Sequence, residues 1–245
     1  MSHAASEVVR VSMPGAFARL GPELGHEFSA ATGRAVAFAP FRPSGLLAAD
    51  ILAGVQADVY VSANVQWMRR LQQAGAVRHW TTLAGNRLCL ITRPDSGVER
   101  LLDLVRPYLR VVAPQAATDP CGRCVELSWR SAGVLPAMRA KEAAGELLRS
   151  LGSGDLPAFL IDGRVEVGRL YVSEARQLDS ECVRIVELPS GQDLHERIRF
   201  VVAALTPPGK PFVRWLLEPS AQARLGAAGF LKHGGHTHPA EGSAS

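Results

Sequence analysis

The spacing in this chain that most directly suggests chemistry is Cys121-Gly122-Arg123-Cys124, two thiols three residues apart at the start of a helical pattern. A helix N-terminus stabilises a thiolate, so such a pair has the electrostatics of a redox dithiol. Two cysteines are also half of a structural zinc site, but no second pair stands at a suitable spacing, which speaks against metal. A second chemistry is written in the strand ends. The stretch Ala57-Asp58-Val59-Tyr60-Val61-Ser62-Ala63 is a buried-strand pattern that closes in small polar residues and runs into a helix near Asn64. Three other strand ends break into small-residue turns in the same way. Turns that each open a helix gather backbone N–H groups, and these hold an anion without any charged side chain.

Catalytic arrangements are poorly supported. The chain has no Gly-x-Ser-x-Gly elbow, no Walker loop and no His-Glu-x-x-His helix. His26, His79 and His195 stand alone, and His233, His236 and His238 fall in a Gly- and Ser-containing tail expected to be disordered. The expectation is a binding protein with no catalytic residues, no cofactor and no metal site.

The elements that must position these groups alternate. Val8 to Ser12, Ala35 to Ala39 and Asp58 to Ser62 read as short strands with helical stretches after each, the signature of an α/β fold. The first helical stripe is Phe17, Leu20, Leu24 and Phe28, with Gly33 as its C-terminal cap and Pro22 predicting a kink or a late start. A second block holds strands at 87–91, 111–113 and 168–172, with helices at about 121–131 and 137–151. A strand at 197–202 and helices at 211–218 and 220–228 then read as a return to the first domain. The expected division is 1–86 with 198–245 as lobe I and 87–197 as lobe II, joined by a hinge of two crossing strands. Clefts between domains are favoured ligand sites.

Length and composition fit this plan. A chain of 245 residues, nearly half of them apolar, buries a substantial core as one large domain or two small ones. The net charge of +4 is modest and the Lys and Arg residues are scattered, so the footprint of a nucleic-acid binder is missing. No run approaches the roughly 18 apolar residues of a membrane span, so membrane insertion is not expected. Residues 1–6 lack the charged start and apolar stretch of an export signal, which leaves a cytoplasmic protein or a mature, processed start. Four cysteines are too few for a disulfide scaffold, and Cys89 and Cys182, within apolar strand patterns, read as core thiols.

A longer series carries a resemblance. Thr32-Gly33, Pro43-Ser44-Gly45-Leu46, Gly54 with Ala57-Asp58-Val59, Ser62-Ala63, Trp67-Met68, Gly85-Asn86, Asp119-Pro120-Cys121-Gly122 and Tyr171, closed by Pro219 to Ala223 and Gly229-Phe230, resemble the molybdate-binding proteins of ABC uptake systems over about residues 7–231. The resemblance implies a type II periplasmic-binding-protein fold with mixed sheets flanked by helices, whose two lobes close on a tetrahedral oxyanion such as molybdate or tungstate. It implies a periplasmic or extracellular monomer that delivers its ligand to an ABC permease. Carried over by motif, the ligand-binding positions are Ala16, Ser44, Cys121, Ser153 and Tyr171.

Each position has its own physical logic. Ser44 precedes Gly45 and an apolar helix, where a hydroxyl placed like an N-cap serves equally as a cap or an anion ligand. Tyr171, at the end of an apolar strand, has a hydroxyl able to reach an oxyanion or to sit half-buried in the core. Ala16 departs from the family's usual serine, and losing a charge-assisted hydrogen bond of about 1.5–3 kcal/mol weakens binding about tenfold or more unless another group replaces it. Ser153, between two glycines, either supplies that hydroxyl or is a flexible turn. Asp119 reads as the cap of the helix at Cys121, since a carboxylate beside an oxyanion repels it unless protonated, turned away or paired. Arg42 and Arg123 read as solvated surface charges, and a guanidinium turned inward would instead suit a carboxylate or phosphate. In the resembled family the Asp-Pro-Cys-Gly turn belongs to the ligand pocket, with a Cys121–Cys124 disulfide an option after export. The competing readings are a LysR-effector-type intracellular ligand sensor, a redox dithiol, and a different anion such as sulfate, thiosulfate or a small carboxylate.

Overall fold

Strands whose residues are apolar on both faces need cover on both faces, and this chain builds two sheets of that kind. The computed structural model describes residues 8–232 and the backbone of residues 237–238. It forms two units: Met1–Gly85, Arg199–Ala227 and Leu231–Ser245 make unit 1, and Asn86–Ile198 with Ala228–Phe230 make unit 2.

In unit 1, β1 (Val9–Ser12), β2 (Val36–Phe38) and β3 (Val59–Ser62) pair in parallel. The helices α1 (Leu20–Thr32), α2 (Ser44–Leu52) and α3 (Val65–Gln73) connect or follow these strands. Pro22 lies in the first turn of α1, where a missing N–H costs nothing, and the helix does start late, after a 3-10 turn over Gly15–Phe17. Gly33 ends it at φ 70°, a left-handed cap. Strand β4 (Trp80–Gly85) is antiparallel to β10 (Arg199–Ala204), which is antiparallel to β3 on its other side.

Unit 2 has a five-stranded sheet in the order β7-β6-β8-β5-β9, from β5 (Leu88–Thr92), β6 (Val111–Pro114), β7 (Leu147–Ser150), β8 (Val167–Tyr171) and β9 (Arg184–Glu187). Its helices are α4 (Pro120–Ser131), α5 (Leu135–Ala143), α6 (Leu156–Ile161) and the short α7 (Val172–Ala175). One face of the sheet packs Cys89, Ile91, Val112 and Leu170 with Leu156 and Leu160 of α6. After it the chain returns to β10, then α8 (Lys210–Leu216) and α9 (Pro219–Ala227). The order of unit 1's sheet is completed by β11 (Thr237–His238), so β11-β4-β10-β3-β1-β2.

The α/β expectation holds, with two local corrections. The helix expected over 137–151 is two elements: α5 stops at Ala143, Gly145 turns the chain at φ 74°, and residues 147–150 pair in parallel with β6. A left-handed glycine ends a helix that side-chain periodicity alone would continue. Cys182 is exposed instead of a core thiol, because its apolar neighbour Val183 leads into edge strand β9 and only that neighbour packs inward. The tail expected to be disordered from His233 lies outside the described residues except at residues 237–238, whose backbone pairs with β4.

Candidate functional site

In unit 1 the strand-end turns spend most of their donors internally. Ser44 is fully buried as the first residue of α2, and the N-cap is Pro43. Its Oγ therefore does not cap its own helix. It accepts the Ala63 N–H at 3.0 Å, while the Tyr60 hydroxyl donates to the Ser44 carbonyl at 2.8 Å. A hydroxyl that accepts still has its proton to donate, so this bond orients the Ser44 O–H without consuming it. Asn64 caps α3 by accepting the Trp67 N–H at 3.1 Å. Ala16 is buried in the 3-10 turn closed by the Phe17 N–H donating to the Pro14 carbonyl at 2.9 Å.

Unit 2 brings three expected residues into one polar cluster. Asp119 is the N-cap of α4, and one carboxylate oxygen accepts the Cys121 N–H at 2.8 Å. The other accepts the Ser153 N–H, also at 2.8 Å, across from the 3-10 turn Ser153–Asp155. The capping expectation for Asp119 holds, and its second bond was not foreseen. Ser153 is no loose turn, because its hydroxyl donates to Glu174 Oε1 at 2.6 Å. Tyr171 closes β8 with its ring buried and its hydroxyl 3.9 Å from Cys124 Sγ. The first turn of α4 is pressed against the end of β6: a Cβ on Gly122 would stand 2.3 Å from the Pro114 carbonyl oxygen.

Burial dominates the electrostatics. It raises Asp119 to about 6 even though the Cys121 and Ser153 bonds pull the other way. Burial likewise raises Glu174 to about 8, assisted by the charge of Asp119. The thiols follow: burial lifts Cys121 well above its ordinary value, with the Asp119 and Glu174 charges adding to it, and lifts Cys124 to about 11. A nucleophilic dithiol needs a depressed thiol pKa, so the redox reading of Cys121 and Cys124 loses its physical basis. Both are free thiols here.

Two residues that the sequence reading passed over belong to this cluster. Glu174 keeps its Oε2 buried without a hydrogen-bond partner among the described residues. Arg169 is fully buried in β8, donates from Nη2 to Ser128 Oγ at 3.0 Å, and has Nε and Nη1 unpartnered among the described residues. Burial lowers it to about 10, so it stays charged at neutral pH. The signal for both was present: a charge inside Gly168-Arg169-Leu170-Tyr171-Val172, and an acid three residues beyond Tyr171. Arg123 is exposed, and Arg42 is half-exposed and paired with Asp50.

The family model of bacterial extracellular solute-binding proteins matches residues 9–231. The molybdate-binding protein ModA of Mycobacterium tuberculosis is 27% identical over 225 residues, 86% of this chain and 79% of that protein. The periplasmic molybdate-binding protein of Azotobacter vinelandii superposes with a TM-score of 0.78 at 18% identity, covering 92% of this chain and all (100%) of that one. The substrate-binding domain of a putative molybdenum ABC transporter from Clostridium difficile gives 0.68 at 19% identity, covering 93% and 99%.

Proposed function

The chain belongs to the family of bacterial extracellular solute-binding proteins, and from that premise we propose that it captures a tetrahedral oxyanion of the molybdate and tungstate class. The observation that carries the reading is the pair of backbone N–H groups of Cys121 and Ser153, donated from two separate turns to the two oxygens of one carboxylate. Amides that grip two oxygens of an internal anion are spaced to grip two oxygens of a tetrahedral one. Within unit 2 the proposed ligand-contacting positions are Cys121, Ser153 and Tyr171, and unit 1, taken by itself, carries the candidate positions Ala16 and Ser44. Ser44 offers its oriented hydroxyl proton, and Ala16 offers only main chain.

The likeness to molybdate-binding proteins supports the anion class. The family supports a place outside the cytoplasm and a partner ABC permease that receives the ligand, and we propose that the protein acts as a monomer. No helix among the described residues is long and apolar enough to cross a membrane. Because the internal guest is a carboxylate, a small organic acid is the second reading.

A thermal-shift panel of molybdate, tungstate, sulfate, thiosulfate, phosphate and small carboxylates tests both. The expected result is stabilisation by molybdate or tungstate of about 2.7 kcal/mol at a hundredfold excess over Kd. A shift with carboxylates alone would select the second reading, and no shift with any tetrahedral oxyanion would refute the first.

A further inference from the structure

The Cys121 and Ser153 amides are already occupied, by Asp119. An oxyanion that takes the same two N–H groups must displace a carboxylate and then lie beside it. Two anions share such a place only with a proton between them or with one neutralised. The surroundings offer little relief. Glu174 reaches the same Ser153 through its hydroxyl, at 2.6 Å, and Asp155 adds negative charge from the adjoining turn. Cys121 and Cys124 on α4 and Tyr171 on β8 are held neutral by burial. The positive groups are Arg169, buried in β8, and Arg123, exposed on α4.

We propose that anion capture in unit 2 is proton-coupled: Asp119 is an internal competitor for the Cys121 and Ser153 amides, and the ligand binds as Asp119 takes one proton from solvent. In this exchange two N–H···O bonds to the carboxylate break, two equivalent bonds to ligand oxygens form, and the proton converts Asp119 to a neutral carboxyl able to donate to the ligand. Glu174 stays protonated through neutral pH and adds no second negative charge until it ionises. Arg169, whose charge acts on Cys121 and whose Nε and Nη1 lack any acceptor among the described residues, offsets part of the captured anion's charge. This inference rests on the proposed role of the two amides in holding the ligand.

Titration calorimetry of the full chain with molybdate, from pH 5.5 to 8.5 and in two buffers of different ionisation enthalpy, tests it. The expected result is net uptake approaching one proton per molybdate at pH 7–8. Kd should rise by up to about tenfold per pH unit above pH 6, and more steeply above pH 8. Asp119→Asn should flatten the lower part of this dependence and bind at least tenfold tighter than wild type at pH 8, and Glu174→Gln should remove the steepening. Molybdate binding without proton uptake, or affinity that rises with pH, would overturn the inference while leaving the proposed function standing. No binding of any tetrahedral oxyanion at any pH would overturn both. The proton uptake is measured on the wild-type chain, so it decides the matter even where a variant fails to fold.

Discussion

Glu174 shows how a single residue sets a pH dependence that its hydrogen bonds alone would not suggest. Its carboxyl is buried, bonded to the Ser153 hydroxyl, and raised from its ordinary 4.5 to about 8. The folded chain therefore keeps a proton that the unfolded chain releases. Stability is full below about pH 4.5 and falls as pH rises toward 8, by up to about 1.4 kcal/mol for each pH unit in that window. Glu174→Gln keeps an acceptor for Ser153 and never ionises. Urea unfolding should find it within about 1 kcal/mol of wild type at pH 5 and more stable by about 2 kcal/mol or more at pH 8.5. An unchanged difference between the two pH values would show that Glu174 is solvated. At this scale the sequence was readable where a residue type has one use. Asp119 before Pro120-Cys121 is a cap by its position, and the structure has it so. Its reach to Ser153 joins residues 34 apart, and no local pattern encodes which turn lies opposite a cap.

At the scale of elements, α4 presents its first amides in a fixed place because nothing separates it from β6. Gly122 makes this approach possible, since a Cβ there would stand 2.3 Å from the Pro114 carbonyl oxygen and 2.7 Å from the Gln115 carbonyl carbon, both backbone atoms that cannot swing aside. Gly122→Ala must move the helix start, and with it the Cys121 amide, the Asp119 cap and the link to Ser153. The expected cost is about 2–4 kcal/mol in chemical denaturation, far above the usual gain of a glycine-to-alanine change in a helix. The helices around this turn were legible from apolar spacing, and the buried β5, β6 and β8 from continuous apolar runs. Strand β7 was not. Leu147-Leu148-Arg149-Ser150 continues the apolar spacing of α5, and the element changes because Gly145 turns the chain and β6 offers a parallel partner. Strand β4 was missed for a related reason: Trp80-Thr81-Thr82-Leu83-Ala84-Gly85 has no period of two, and all six residues are buried.

The whole molecule is two units, each with its own apolar core: Leu47, Tyr60, Met68, Leu71 and Val201 lie in one of them, and Cys89, Ile91, Val112, Leu156 and Leu170 in the other. The alternation of strands and helices made this plan legible, including the late return of the chain to β10. What holds that return in place was less visible. Asp58, buried at the entry to β3, accepts from the Arg10 amide at 2.9 Å, from Arg10 Nε and Nη2 at 3.0 and 3.1 Å, and from the Thr206 hydroxyl at 2.5 Å. One carboxylate thus ties β1, β3 and the segment after β10, and its bond to Thr206 alone joins residues 148 apart. Burial raises its pKa, but the Arg10 and Thr206 bonds outweigh this and leave it lowered, so its contribution is present above the ordinary 3.8 and is lost as pH falls through the folded value. Separate cores predict two components in differential scanning calorimetry. Asp58→Ala should then lower only the component belonging to unit 1, by about 2–4 kcal/mol at pH 7, with the difference shrinking toward pH 3. Glu174→Gln should instead raise only the other component at pH 8.5. A single transition that both variants move together would mean that the units unfold as one cooperative body, and that the tie at Asp58 stabilises the whole chain instead of one sheet.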